Sequence, residues 1–248
     1  MSEFYTPTEA DKEKFKDLSI VIASPHASYD SLNIWNKHVV NMVAYSWMND
    51  LKIYQMIDTE RMVCHWARNE LCRVIQNNVS PYTGKKYTHI LWLDDDHVFN
   101  PDLACYLARY ADRDMVSALY YGRVGRILPV CYTRDGHTEK DDAYKHFPIV
   151  EPPESIFECD AVGFGALLMR VDVLDRVPPQ PFQFHSAGED IYFCANARKC
   201  GVRIWCDGSY RIGHVSNPKI VTQKDYKQYM DENAEAMTEV RLIALNTK

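Results

Sequence analysis

The chain has 248 residues, 46% hydrophobic and 25% charged, enough for one large α/β domain with a sizeable buried core. Thirty-four acidic against 28 basic residues leave a formal charge of -6, which gives no overall footprint for nucleic acid or an anionic membrane. Met1 to Asp17 is polar and charged, unlike a secretory signal, and no apolar run approaches the ~20 residues that span a bilayer. A soluble, cytoplasmic protein with no integral membrane segment is therefore expected.

Leu18 to Ala23 is a β-branched run ending at Ser24-Pro25, where a strand should stop. Leu32 to Met48 carries Ile34, Trp35, Val39, Met42, Val43 and Trp47 at helical spacing. Lys52 to Ile57 reads as a second strand, and Arg61 to Gln76 as a second helix with Val63, Ala67, Leu71 and Ile75 on one face. Tyr87 to Leu93 is a nearly continuous apolar strand that runs into Asp94-Asp95-Asp96. Asn100-Pro101 has the form of an N-cap followed by proline at the first helical position, so a helix is expected over Asp102 to Tyr110. Met115 to Tyr120 is a further strand. This alternation predicts an open, mostly parallel sheet flanked by helices.

The second half is less regular. Arg123 to Pro153 is polar and interrupted by Gly and Pro, which suits short strands and a loop, so a small antiparallel portion is expected here. Cys159 to Val171 is strand-like around Gly163-Phe164-Gly165. Pro178 to Ser186 is a proline- and aromatic-rich loop. Gly188-Glu189-Asp190 opens a helix that Gly201 ends, and Val202 to Cys206 is a last strand. From Thr222 a polar helix carries an apolar stripe of Tyr226, Met230, Met237, Val240 and Ala244, which is expected to pack on the domain. The reading is one domain over 1–248, with a first half at 1–120, a second at 121–216 and a C-terminal helix at 217–248. The eight cysteines form no C-x-x-C pair, so buried free thiols are expected rather than a zinc knuckle.

Three features carry chemistry. Ligands of open α/β sheets sit outside the carboxyl ends of the strands, and the triple aspartate lies there. In an extended chain Asp94 and Asp96 share a side, where two carboxylates call for a hard divalent cation. The alternative is an ordinary acidic turn. Glu189 and Asp190 are either a helix-capping pair or a base able to take a proton from a hydroxyl. His214 in Ile212-Gly-His214 is a candidate third ligand, since Mn²⁺ tolerates imidazole beside carboxylate, and His97 competes for that role.

Taken in order, LWLDDD, VGFGALLMR, GEDIYFCANARKCG and the later GH resemble nucleotide-sugar glycosyltransferases of the GT-A (Rossmann-like) fold. The closest similarity is to the short family-2-like enzymes of bacteriophages and large viruses. Ala67-Arg68-Asn69 within HWARNELC is similar as well, and the match spans roughly residues 18 to 216. The resemblance implies Asp94 and Asp96 as a D-x-D pair, with Asp96 on the metal and Asp95 in the variable middle position beside the donor. It implies Pro25 at the start of the nucleotide loop, Arg68 near the donor, and Gly163 and Gly165 where backbone approaches the sugar. It further implies Asp190 as base with Glu189 beside it, and His214 as the C-terminal metal ligand. The expected activity is metal-dependent transfer from a nucleotide-sugar, a UDP-sugar by preference, to a hydroxyl acceptor, with Mn²⁺ or Mg²⁺ as cofactor. A hydroxymethylated pyrimidine in phage DNA, a protein and a surface glycan all stay open as acceptors, with Arg123 and Arg126 as candidate phosphate contacts for the first. A nucleotidyltransferase would want a Gly-rich phosphate loop, and Ser24-Pro25-His26-Ala27-Ser28 is a poor one. A non-catalytic nucleotide-sugar-binding module is the alternative from outside the enzymes. Neither the sugar nor the oligomeric state follows from the residues.

Overall fold

The computed structural model describes residues 4–26, 33–59, 62–123, 125–134, 146–185, 187–216 and 219–234. Helix α1 (Glu9–Phe15) starts from a reciprocal cap between Thr8 and Asp11 and buries only Phe15. With a single apolar contact it has no hydrophobic period. Strand β1 (Ile20–Ser24), helix α2 (Asn33–Met48), strand β2 (Ile53–Asp58), helix α3 (Cys64–Asn77) and strand β3 (His89–Leu93) follow as expected. After β3 come the two-residue β4 (His97–Val98), helix α4 (Leu103–Ala108) and β5 (Met115–Leu119).

Helix α4 is shorter than the pattern predicts, and its cap is Asp102 rather than Asn100. The Asp102 carboxylate is occupied elsewhere, accepting from the Tyr5 amide and the Tyr210 hydroxyl, both at 2.6 Å. The second half supplies β6 (Cys131–Arg134), β7 (His146–Pro148), β8 (Ile156–Cys159), β9 (Ala161–Val162), β10 (Ala166–Arg170), α5 (Val173–Arg176) and α6 (Glu189–Lys199). Strand β11 runs from Ile204 to Arg211, well past the predicted end at Cys206. The hairpin β12 (Gly213–Ser216) and β13 (Lys219–Val221) then leads to α7 (Gln223–Glu232).

Seven strands form the main sheet in the order β2-β1-β3-β10-β5-β11-β8. Strand β1 is parallel to β2 and β3, and β11 to β5, whereas β10 and β8 run against their neighbours. The sheet is thus open and mostly parallel, with helices on both faces. Successive residues of β3 separate the two cores. Ile90 and Trp92 join α3 residues Leu71 and Ile75 and α6 residues Ile191 and Phe193, while Leu91 and Leu93 join Trp35, Met42 and Leu103. Burial of both faces explains why the strand reads as a continuous apolar run.

Two small antiparallel sheets, β13-β12-β4 and β7-β6-β9, sit beside the main one, as expected for the second half. Helix α7 packs through Met230 and Tyr226 against Leu128, Val150 and Tyr121. The rest of its predicted stripe, Met237, Val240 and Ala244, lies outside the described residues. All eight cysteines are free; Cys64 and Cys200 are exposed, against expectation, and the other six are buried. No helix among the described residues is long and apolar enough to cross a membrane.

Candidate functional site

The three aspartates leave β3 at its carboxyl end and enter a turn, so they do not stay extended and Asp94 and Asp96 do not share a side. Each goes to a different partner. Both oxygens of Asp94 accept from Arg68 Nη2, at 2.9 and 3.2 Å. Asp95 Oδ2 lies 2.9 Å from His26 Nδ1, and Asp58 reaches the other ring nitrogen at 3.7 Å. Asp96 meets Arg123 Nη1 at 2.7 Å, His97 Nδ1 at 3.0 Å and His214 Nε2 at 3.6 Å.

Arg68 is the hub of the first of these groups. It is 2% exposed, on the inner face of α3, with its guanidinium over the rings of Trp92, Phe164 and Phe182. Its Nε donates to Glu189 Oε1 at 3.2 Å, and the Cys64 thiol donates to the same oxygen at 3.1 Å. Burial pushes the Glu189 carboxyl up, but the Arg68 charge and hydrogen bond, the Cys64 thiol and a backbone amide together outweigh it and hold it below its usual range. Two carboxylates from distant parts of the chain are thus bolted to one buried cation.

Asp190, next to Glu189, has no such partner. Burial and the neighbouring Glu189 charge push its carboxyl up to about 7, against the pull of Arg68. Among the described residues its Oδ1 accepts only the Ile191 amide, at 2.8 Å. The chain reaches this turn through Gly188 at φ +104, where a Cβ would meet that same Oδ1 at 2.6 Å.

The Asp96 group is built by strand register. Strands β12 and β4 pair antiparallel with His214 directly opposite His97, which stacks the two imidazoles 4.3 Å apart at 15°. Asp96, His97 and His214 form the one group among the described residues whose donor atoms could hold a metal ion, all within 4.8 Å of one another. His214 Nδ1 is 2.9 Å from the Tyr121 carbonyl, so it carries the proton and leaves Nε2 free to coordinate. Asp96 Oδ1 and both His97 nitrogens are buried without a hydrogen bond; the 3.0 Å contact between them is close but misaligned. Such orphaned atoms are rare unless a ligand completes them. Burial opposes ionisation of Asp96, yet the two histidines hold its carboxyl well below the usual carboxylate range. One carboxylate with two imidazoles fits Mn²⁺ better than Mg²⁺, which prefers an all-oxygen shell.

Of the expected ligand set of Asp94, Asp96 and His214, two members stand together and Asp94 stands apart on Arg68. His97 joins Asp96 and His214 rather than competing. At Gly163 and Gly165, where the resemblance implies close approach of backbone to the sugar, the structure shows close approach of neighbouring side chains. A Cβ at Gly163 would stand 1.8 Å from the Tyr120 hydroxyl, and one at Gly165 2.4 Å from His97 Cε1. The two glycines clear room for those side chains. Antiparallel β10 puts them there, because Ala166 pairs with Leu93 and the Gly165 carbonyl accepts the Asp94 amide at 3.2 Å.

Pro25 is buried at the end of β1, beside His26. Sequence reasoning gave no site role to His26, Asp58 or Tyr120, and read Arg123 only as a phosphate contact. Tyr120 is buried with its hydroxyl accepting the Gly165 amide at 3.3 Å and its ring edge-on to His97 and His214. Burial first, and then the charges of Asp190 and Asp94, push its hydroxyl well above the usual range. The Gly-x-Gly spacing was its only trace in the sequence.

No family model and no curated protein matches the chain. Among solved structures, the crystal structure of A197 from STIV is similar over 83% of this chain and 94% of that one, at 17% identity and a TM-score of 0.53. GalNAc-T7, crystallised with UDP, GalNAc and Mn²⁺, is similar at 13% identity and a TM-score of 0.46 over 86% of this chain. The match spans about half of that longer protein, 48% of its length. At these identities the likeness is one of fold alone.

Proposed function

We propose that the chain is a metal-dependent glycosyltransferase that moves a sugar from a nucleotide-sugar to a hydroxyl acceptor. The observation that carries this reading is the Asp190 carboxyl, poised at about 7 at the carboxyl end of a sheet whose next turn gathers Asp96, His97 and His214. A base near neutrality suits removal of a proton from an acceptor hydroxyl, and Asp190, with no ion-pair partner of its own among the described residues, can act as one.

A divalent ion held by Asp96, His97 and His214 would neutralise the charge that gathers on a departing diphosphate. The chain's own groups supply the rest. Asp95 and Asp58, joined through His26 at the ends of β1, β2 and β3, offer carboxylate acceptors to the hydroxyls of a ribose. Arg68 keeps one buried arm, Nη1, without a partner, a donor available to a phosphate or sugar oxygen. Glu189, fixed by Arg68 and Cys64, holds the start of α6 so that Asp190 keeps its direction. A single displacement assisted by Asp190 inverts the anomeric centre.

Arg123 bears on the acceptor. It was a candidate phosphate contact for a DNA substrate, but it is engaged by Asp96 and by the Val215 carbonyl at 2.8 Å. The test is a panel of UDP-, GDP- and dTDP-sugars with Mn²⁺, read by slow release of free nucleotide in the absence of acceptor. Release from one donor, lost on chelation, is the expected result. Tight nucleotide-sugar binding with no release from any donor would instead identify a binding module.

A further inference from the structure

We propose that the acceptor is a neutral carbohydrate chain, laid across an aromatic ledge of His65, Trp66 and Phe184 and along the groove beside α3. This rests on the transferase reading above. The ledge is one surface: the His65 ring lies 5.5 Å from Trp66 and 6.3 Å from Phe184. Trp66 is 63% exposed and Phe184 83%. Phe184 does not dangle. The loop carrying it is pinned two residues earlier by a reciprocal pair, in which Asn69 Nδ2 donates to the Phe182 carbonyl at 2.7 Å and the Phe182 amide to Asn69 Oδ1 at 3.0 Å. Phe182 itself stacks on Phe193 in the core, 4.6 Å between centroids. An anchored loop that holds a large ring in water presents a binding face rather than a packing residue.

The ledge is continuous with the site. His65 follows Cys64, whose thiol touches Glu189, and Phe184 precedes the Gly188 turn into Asp190. From Trp66 a groove of about 430 Å³ runs along α3 towards Asn77, walled on the far side by Leu174 and Pro178 to Pro181. Its formal charges cancel, since Arg73 Nε pairs with Glu70 at 2.8 Å, and its other polar groups are amides. At the site end Glu189, Asp190 and Asp94 outnumber the single buried cation Arg68, so no surplus positive charge there would draw a phosphate backbone. Aromatic faces for the C–H side of a sugar ring, amides for its hydroxyls and no net charge together match an uncharged saccharide.

The test is direct binding by calorimetry and saturation-transfer NMR. The probes are cello-, malto-, chito- and manno-oligosaccharides, an oligothymidylate, and UDP with Mn²⁺. At least one neutral oligosaccharide should bind, and Trp66→Ala and Phe184→Ala should each weaken it about tenfold, the loss of one stacked ring. Both side chains are exposed, so the variants should fold, which circular dichroism checks. The proposal is overturned if no neutral oligosaccharide binds, if the oligothymidylate binds instead, or if ring removal leaves oligosaccharide binding unchanged. It is equally overturned if Trp66→Ala weakens UDP rather than sugar, which would make the ledge a nucleobase seat. UDP keeps the two readings apart. Should wild type bind UDP and no oligosaccharide, the ledge fails and the transferase reading stands. Should it bind oligosaccharide through the ledge and never UDP, the reverse holds.

Discussion

Asp94 and Asp96 sit two residues apart on one turn, yet they live in opposite circumstances. Asp94 has both oxygens hydrogen-bonded by a buried arginine, whereas Asp96 keeps one oxygen buried and unpaired among imidazole nitrogens that are also unpaired. Protein groups satisfy the first, and a frame results; the second waits for something the chain does not itself contain. Charges completed by the fold give it rigidity, and those left incomplete are where a ligand finds purchase.

Removing the frame's cation should have the largest effect. Arg68→Met strips both Asp94 and Glu189 of their partner and leaves two half-buried carboxylates facing each other, at a cost of about 3–5 kcal/mol. Urea unfolding reads this as a lower midpoint. Asp96→Asn should cost less than Arg68→Met in the same assay, yet weaken Mn²⁺ binding roughly tenfold or more by calorimetry. If Asp96→Asn unfolded the protein and Arg68→Met did not, the two roles would have to be exchanged.

Asp190 is next. Asp190→Asn should lower transfer about 10²–10⁴-fold while nucleotide binding persists. In wild type the rate should fall as pH drops through about 7, where the carboxyl takes up its proton. The same raised pKa has a stability consequence of defined sign. The folded state holds a proton that the unfolded chain gives up near ~4, so the associated stability is complete below that pH and is lost as pH rises through about 7. The asparagine variant should therefore be more stable than wild type at about pH 8, by up to a few kcal/mol, and nearly equal to it near pH 4. Equal melting temperatures across that range would show that Asp190 ionises freely and has no tuned role.

A smaller effect is expected where the glycines make room for the metal cluster. Gly165→Ala places a methyl 2.4 Å from His97 Cε1, so the ring must shift. Overpacking of this kind costs about 1–3 kcal/mol, and the displaced imidazole should reduce Mn²⁺ affinity in parallel. A substitution that fell on stability alone would detach His97 from the metal.

These residues also show how far the site was legible in sequence. The end of β3 stood out because an apolar strand running into three carboxylates is a local pattern, and so did the turn into α6. The placement of β10 did not, because a strand-like stretch carries no sign of which neighbours it will choose or in which direction it will run. That single insertion sets Gly165 against Asp94. The pairing of His97 with His214 is likewise a matter of register between segments far apart in the chain. Within the turn, alternation of side chains was a sound inference for an extended chain, and it failed when the backbone curled and sent each aspartate to its own partner. The partners themselves, Arg68, His26 and Arg123, come from three separate elements.

Arg123 offers the finest cut through the comparison. Its Nη1 lies 2.7 Å from Asp96 Oδ2 and also donates to the Val215 carbonyl, but the side chain is 38% exposed, so this ion pair is a weak one. It is a cation already resting on the carboxylate that a divalent ion would need. Deleting it with Arg123→Ala should therefore tighten Mn²⁺ alone by about 2–5-fold, the worth of an exposed pair. UDP measured in the presence of saturating Mn²⁺ should respond differently. If Arg123 swings from Asp96 to a phosphate once the metal arrives, the variant binds Mn²⁺ better and UDP worse, and the arginine is a placeholder for the metal and then a hand on the donor. If both affinities rise, it is a placeholder only. If Mn²⁺ binding falls instead, Arg123 is what keeps Asp96 aimed at the histidines, and Asp96 belongs with Asp94 among the charges that the fold itself completes.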